Sequence, residues 1–171
     1  MPQVRRVMKP RCADNGARAQ AAGFPWPDIC YLRSKPERWP MTDTYRITLA
    51  QLNPTVGDLA GNAAKALDAW RQGRDAGTQM VALPEMFITG YQTQDLIRRK
   101  GFILDAVAAI EALAAECADG PILMIGGPAV EGVKLHNCYY MLQCGKIAGR
   151  ADKFFLPNFN VFDEVRLFSR G

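Results

Sequence analysis

The sequence predicts an α/β fold, a parallel or mixed sheet with helices on its face. Short apolar runs bounded by turn residues alternate with stretches of helical period from residue 41 onward. Two further runs then flank a Cys-Gly dipeptide, the signature of a hairpin. The strands are short and the helices are long enough to cross between them, as parallel pairing requires.

The elements follow in order. Tyr45–Leu52 is a mostly apolar run suited to a buried strand. Residues 53–58 (Asn-Pro-Thr-Val-Gly-Asp) form a turn cluster. Asp58 or Asn62 can cap a helix running to about Asp75, with Ala63, Leu67 and Trp70 on one face and Gly77 just past its end. Gln79–Leu83 is a second strand, closed by Pro84. A second helix is expected from about Phe102 to Cys117, burying a stripe of Ile103, Val107, Ile110, Ala114 and Cys117. Pro121–Ile125 is a third strand, ended by Gly126 and Gly127. Leu135–Gln143 and Lys146–Lys153 form the hairpin around Cys144 and Gly145. No internal repeat is present.

Charge divides the chain. Residues 1–40 carry eight Lys/Arg against three Asp/Glu, a net of +5, whereas residues 41–171 carry thirteen against fourteen, a net of −1. The basic character therefore does not describe the folded part, and a nucleic-acid footprint, which needs Lys/Arg on one folded face, is not expected. Six of the eleven prolines also fall in residues 1–40, with no sustained period. This segment reads as a non-domain extension, with the natural start at Met41 and a single domain over residues 41–171. No apolar run is long enough for a membrane span, and no secretory signal is recognisable. The five cysteines are odd in number and form no CxxC pair. That argues against a disulfide framework or a zinc site and for a reducing compartment, the cytoplasm.

Three residues could carry chemistry. Glu85 follows a strand and Pro84, beside Leu83, Met86 and Phe87; partial desolvation there would suit a general base. Read alone, the plainer reading is a solvated, inert loop glutamate. Lys153 ends a strand before Phe154, Phe155 and Leu156, where an ammonium could steady an oxyanion; the plainer reading is a lysine in water. Glu164 could meet a substrate amine, or simply pair with Arg166 on the surface.

The motifs around these residues carry more information together. Leu83-Pro-Glu-Met-Phe-Ile-Thr-Gly-Tyr91 resembles the first-glutamate motif of the nitrilase superfamily of carbon-nitrogen hydrolases, and Lys153-Phe-Phe-Leu-Pro-Asn158 resembles its lysine motif. Residues 50–62, Gln94-Asp95-Leu96 and residues 156–168 resemble the glutaminase part of glutamine-dependent NAD synthetases. The resemblance spans about Tyr45 to Gly171.

It implies the first part of an α-β-β-α sandwich and a Cys-Glu-Lys triad. Glu85 would be the general base, Lys153 the transition-state stabiliser and Glu164 an accessory acid near the substrate. Phe159 stands where the family usually has a substrate-contacting tyrosine; Asn160 and Val165 also depart from the usual Gly and Lys. The resemblance further implies glutamine as substrate and a carboxyl-terminal synthetase domain using ATP, magnesium and deamido-NAD. A homo-oligomer is implied for the complete protein. None of Cys12, Cys30, Cys117, Cys138 or Cys144 has the family's nucleophile context, so the expectation is a domain truncated before its nucleophile and inactive alone. No cofactor or metal is expected on the chain itself. The rival readings are a stand-alone amidase of the same superfamily and a non-catalytic remnant.

Overall fold

Two helices lie on one face of a five-stranded mixed sheet. The computed structural model describes residues 44–171, one compact unit from Thr44; the expectations for residues 1–40 and for a start at Met41 lie outside the described residues. The order is β1 (Ile47–Leu49), α1 (Leu59–Asp75), β2 (Met80–Ala82), a 3-10 turn (Gln94–Arg98), α2 (Lys100–Glu116), β3 (Ile122–Glu131), β4 (Lys134–Gln143), β5 (Lys146–Asp152) and α3 (Glu164–Leu167). The strands lie in the order β1-β2-β3-β4-β5. β1, β2 and β3 are parallel, whereas β4 and β5 are antiparallel to their neighbours.

Local chemistry explains the boundaries. Asp58 caps α1 by accepting from Gly61 N at 2.9 Å, the usual service of a short acidic side chain to an orphan helix N–H. Asn62 is therefore not the cap. It is fully buried one turn in, where it accepts from Thr55 N and donates to the carbonyls of Thr55 and Ile88. Gly77 ends the helix with φ +70°. Of the face expected on α1, Trp70 is buried and bonds Pro121 O, while Ala63 and Leu67 are half-buried; Ala66, Ala69 and Gly73 complete it. A Cβ on Gly73 would lie 2.4 Å from Val81 Cγ2, so the helix rests directly on β2. On α2 the expected stripe is buried except at half-buried Val107, with Ala106 and Leu113 added.

Two strand boundaries differ from expectation. β1 is only three residues long, because after Ala50 N bonds Ala82 O the chain turns back on itself through Leu52 N to Ala50 O. β3 does not stop at Gly126 and Gly127. It runs on to Glu131 and turns at Gly132 (φ +60°) into β4, with Gly127 opposite Cys138 and Pro128 opposite Asn137. The glycines are there because other chain lies close against them, not to break the strand. The expected β4–β5 hairpin turns on Cys144 and Gly145, both at positive φ, as a two-residue loop requires.

Val81, Leu83, Leu123, Ile125, Cys138, Tyr140 and Leu142 pack under α1 and α2 as the main core. The opposite face is apolar but more open: Ile47 and Leu49 on β1 are exposed, and Met80, Ala82, Ile122 and Met124 are half-buried. Cys117 and Cys138 are free and buried. Cys144 is not among the free thiols of the described residues. Among the described residues no helix is long and apolar enough to cross a membrane.

Candidate active site

Strand alternation sorts the chemistry-bearing residues onto the two faces. On β4, Cys138 points into the core under the helices, so Asn137 and Tyr139 point to the other face. Asp152 is opposite Cys138 on β5 and shares its face; Lys153, the next residue, turns to the face of Asn137. The ladder continues to Lys153, whose N–H donates to Asn137 O at 2.8 Å.

Glu85 reaches this face on the loop after β2. Leu83 N bonds Met124 O, and Ile88 N returns to Gly126 O, so residues 84–87 arch over β3. The arch is tight. A Cβ on Gly126 would lie 2.2 Å from Met86 N and 2.7 Å from Glu85 C. Met86 itself has φ +49°, an uncommon state for a residue with a side chain. It is held there by burial against Ile97, Ile103 and Phe168. Tyr139 Oη also donates to Leu83 O, fastening the start of the arch.

The three residues marked by the motifs meet. Lys153 Nζ lies 2.8 Å from Glu85 Oε1 and 2.9 Å from Glu164 Oε2. Glu164 opens α3, its N–H bonding Pro157 O, and its side chain is only 3% exposed. Its partners are Lys153 and Tyr91, whose hydroxyl donates to Oε1 at 2.8 Å. The surface pair with Arg166 is not formed; Arg166 instead bonds Asp163 and Asp95. Glu85 also departs from expectation, because its side chain is 46% exposed rather than desolvated by its apolar neighbours. The loop lifts it over the sheet into the open, while Met86 and Phe87 turn inward.

One ammonium thus bridges two carboxylates. Burial alone would lower the pKa of Lys153, but the hydrogen bonds and charges of Glu85 and Glu164 outweigh it and hold the group above its ordinary value. Burial, then the hydrogen bond and charge of Glu164, push Tyr91 up to about 12. A depression lined by Met86, Tyr91, Thr93, Glu164, Leu167 and Phe168 adjoins the pair. Phe159 lies farther out, exposed and edge-on to Phe162, whose ring is 6.3 Å from that of Tyr91.

Sequence reasoning did not single out Asn137 or Tyr91 as site residues. Tyr91 was in view as the end of the Thr-Gly-Tyr tail. Asn137 was detectable as a polar residue among Leu135, Tyr139 and Met141 on one strand face. Its side chain donates to Glu85 Oε1 at 2.5 Å.

Neither free cysteine joins the site. Cys138 is on the opposite sheet face and Cys117 lies in the helix layer. Burial pushes the Cys117 thiol up to about 12, and burial together with Asp152 raises that of Cys138 well above its ordinary range. Among the described residues one group could hold a metal ion: Glu131, His136 and Asp152, on the helix face. Arg150 already bonds both carboxylate oxygens of Asp152, so a cation there would have to displace it.

Comparison with known proteins adds to this geometry. The carbon-nitrogen hydrolase family matches residues 46–171. The glutamine-dependent NAD(+) synthetase of Rhodobacter capsulatus is 58% identical over 131 residues, 77% of this chain and 24% of that protein. The enzyme of the same name from Thermotoga maritima is 36% identical over 126 residues, 74% of this chain and 22% of its own length. The chain therefore spans about a quarter of these relatives. A glutamine-dependent NAD(+) synthetase from Cytophaga hutchinsonii superposes with a TM-score of 0.71 at 31% identity, over 75% of this chain and 22% of that one. An amidase from Nesterenkonia sp. superposes at 0.61 with 20% identity, over 74% and 48%, a likeness of fold.

Proposed function

The chain belongs to the carbon-nitrogen hydrolase family, and from that premise we propose that Glu85, Lys153 and Glu164 serve the hydrolysis of the side-chain amide of glutamine. The observation that carries this reading is the Lys153 ammonium held between the Glu85 and Glu164 carboxylates. Glu85 is open to solvent on one side and gripped on the other, as a proton acceptor for an incoming thiol must be. The thiol gives its proton to Glu85 as sulfur attacks the amide carbon, and the carbonyl electron pair moves onto oxygen. Lys153, fixed by two carboxylates, steadies that oxyanion at no cost of reorganisation. The proton on Glu85 then leaves with ammonia, and water clears the thioester. Glu164 keeps Lys153 charged and in place, and with Tyr91 it borders the depression where the substrate would lie.

The nucleophile of this reading is not Cys117 or Cys138, because both are buried on the other side of the sheet from Glu85. The chain corresponds to the amino-terminal quarter of the NAD(+) synthetases that it matches, so a later segment would supply the thiol, and this chain by itself would be inactive. In the whole protein the ammonia would be used by a carboxyl-terminal synthetase domain that amidates deamido-NAD with ATP and magnesium. No residue described here is assigned to those groups. The open face of Ile47, Leu49, Met80 and Met124 fits a second layer of the same domain. On the same reading the domain begins near residue 41, and the complete enzyme is a cytoplasmic homo-oligomer.

The experiment is glutamine-dependent and ammonia-dependent NAD formation by the full-length protein and its Glu85→Gln variant. Loss of the first with retention of the second supports the reading. Equal rates from glutamine in both proteins would refute it.

A further inference from the structure

We propose that Asn137 is the positioning residue that fixes Glu85 for proton transfer, an inference that rests on the assignment of Glu85 as the base. Glu85 Oε1 accepts two hydrogen bonds, from Asn137 Nδ2 at 2.5 Å and from Lys153 Nζ at 2.8 Å. Among the described residues none donates to Oε2. The carboxylate is therefore gripped by one oxygen, and the other, Oε2, is left to take the thiol proton.

The two donors do different work. Lys153 is the last group of a long, part-exposed side chain, and an ammonium attracts a carboxylate from any direction. Asn137 is 2% exposed and sits on β4 between β3 and β5, so its amide is a directional donor on a rigid element. Glu85 comes from the other extreme, a loop over Gly126 with nearly half of its side chain in solvent. Without a fixed donor, its three side-chain torsions leave the carboxylate free to swing about Lys153. Asn137 also accepts from Lys153 N through its main-chain oxygen at 2.8 Å. A single residue thus ties the base by its side chain and the lysine by its backbone, setting their separation.

A neutral donor is what this position needs. An aspartate has the shape of asparagine but no N–H, and it would bring a third negative charge to one ammonium. The plainer reading is that Asn137 fills its site by shape, and that reading makes the opposite prediction for the Asp variant.

The test is steady-state glutamine hydrolysis by the full-length protein, comparing wild type with Asn137→Asp, Asn137→Ala and Glu85→Gln. Positioning predicts that kcat falls by about tenfold or more in both Asn137 variants, with KM within about threefold, because a misplaced base slows the step rather than binding. The isosteric Asp variant should be no better than the Ala variant. A near-wild-type kcat in Asn137→Asp overturns the inference, since shape alone would then suffice. Should the Asp variant fail to fold, Asn137→Ala decides: an unchanged kcat overturns the inference and a kcat loss at constant KM upholds it. Substantial hydrolysis by Glu85→Gln would instead remove the assignment of the base, on which the inference depends, and is told apart by that arm alone.

Discussion

Lys153 and Glu164 form a nearly buried ion pair, Nζ to Oε2 at 2.9 Å, between the end of β5 and the start of α3. The pair anchors a four-residue helix too short to be stable by itself. It also fixes the cation that Glu85 shares. On the proposed function, chemistry and local stability therefore depend on the same contact.

Removing Lys153 should consequently cost stability as well as activity. Lys153→Met keeps most of the stem but leaves Glu164 with an uncompensated buried charge. We expect a loss of about 3 kcal/mol, the low end for a broken buried pair, because the lysine is 27% exposed. Urea unfolding measures it. A change within about 0.5 kcal/mol would place the pair among surface bridges of little energetic weight.

Tyr91 gives a dependence on high pH. Its hydroxyl is raised from 10.0 to about 12 by burial, and then by the hydrogen bond and charge of Glu164. The folded chain thus keeps this proton after the unfolded chain has lost it. The stability it contributes is full below pH 10 and is lost as pH rises from 10 to about 12. Burial also raises Tyr139 and Tyr140, so spectrophotometric titration should show one fewer late-ionising tyrosine in Tyr91→Phe than in wild type. The stability of Tyr91→Phe should fall less steeply over the same window. Identical curves for the two proteins would contradict the assignment.

Gly126 is the most constrained backbone position beneath Glu85. Gly126→Ala places a methyl group against main-chain atoms of Glu85 and Met86, which cannot rotate aside. Overpacking of this kind costs about 1–3 kcal/mol. It should lift the Glu85 arch and lower glutamine hydrolysis with it. Thermal unfolding and a rate measurement on one sample check both effects. A fully stable, fully active variant would show that the arch has slack.

The element order was legible in the sequence, because period and turn chemistry are local, and two distinctive motifs marked Glu85 and Lys153; that they form an ion pair was not. Gly126 and Gly127 misled, since a glycine that admits a crossing chain and one that ends a strand look alike in sequence. Glu164 offered Arg166 two residues away, but its real partners, Tyr91 and Lys153, are 73 and 11 residues distant. Its burial depends on how residues 157–164 fold back, which no local pattern specifies. The exposure of Glu85 was hidden for a related reason: Leu83, Met86 and Phe87 are its neighbours in sequence, yet they point away from it.

Cys117 and Cys138 should be chemically quiet. Both thiols are buried and that burial opposes their ionisation, so neither should react with iodoacetamide at pH 8 while the chain is folded. The 171-residue chain should accordingly release no ammonia from glutamine. Thiol-dependent release abolished by Cys138→Ser would move the nucleophile to the other face of the sheet.

The role proposed for Glu85, base in glutamine amide hydrolysis, is tested by ammonia release from glutamine by the full-length protein and its Glu85→Gln variant. Glutamine keeps the shape of the side chain and both of its heavy-atom branches but cannot take up the thiol proton. Loss of the base should lower turnover by about 10²-fold or more, while NAD formation from added ammonia continues at the wild-type rate. Glutamine turnover within a few-fold of wild type would contradict that role.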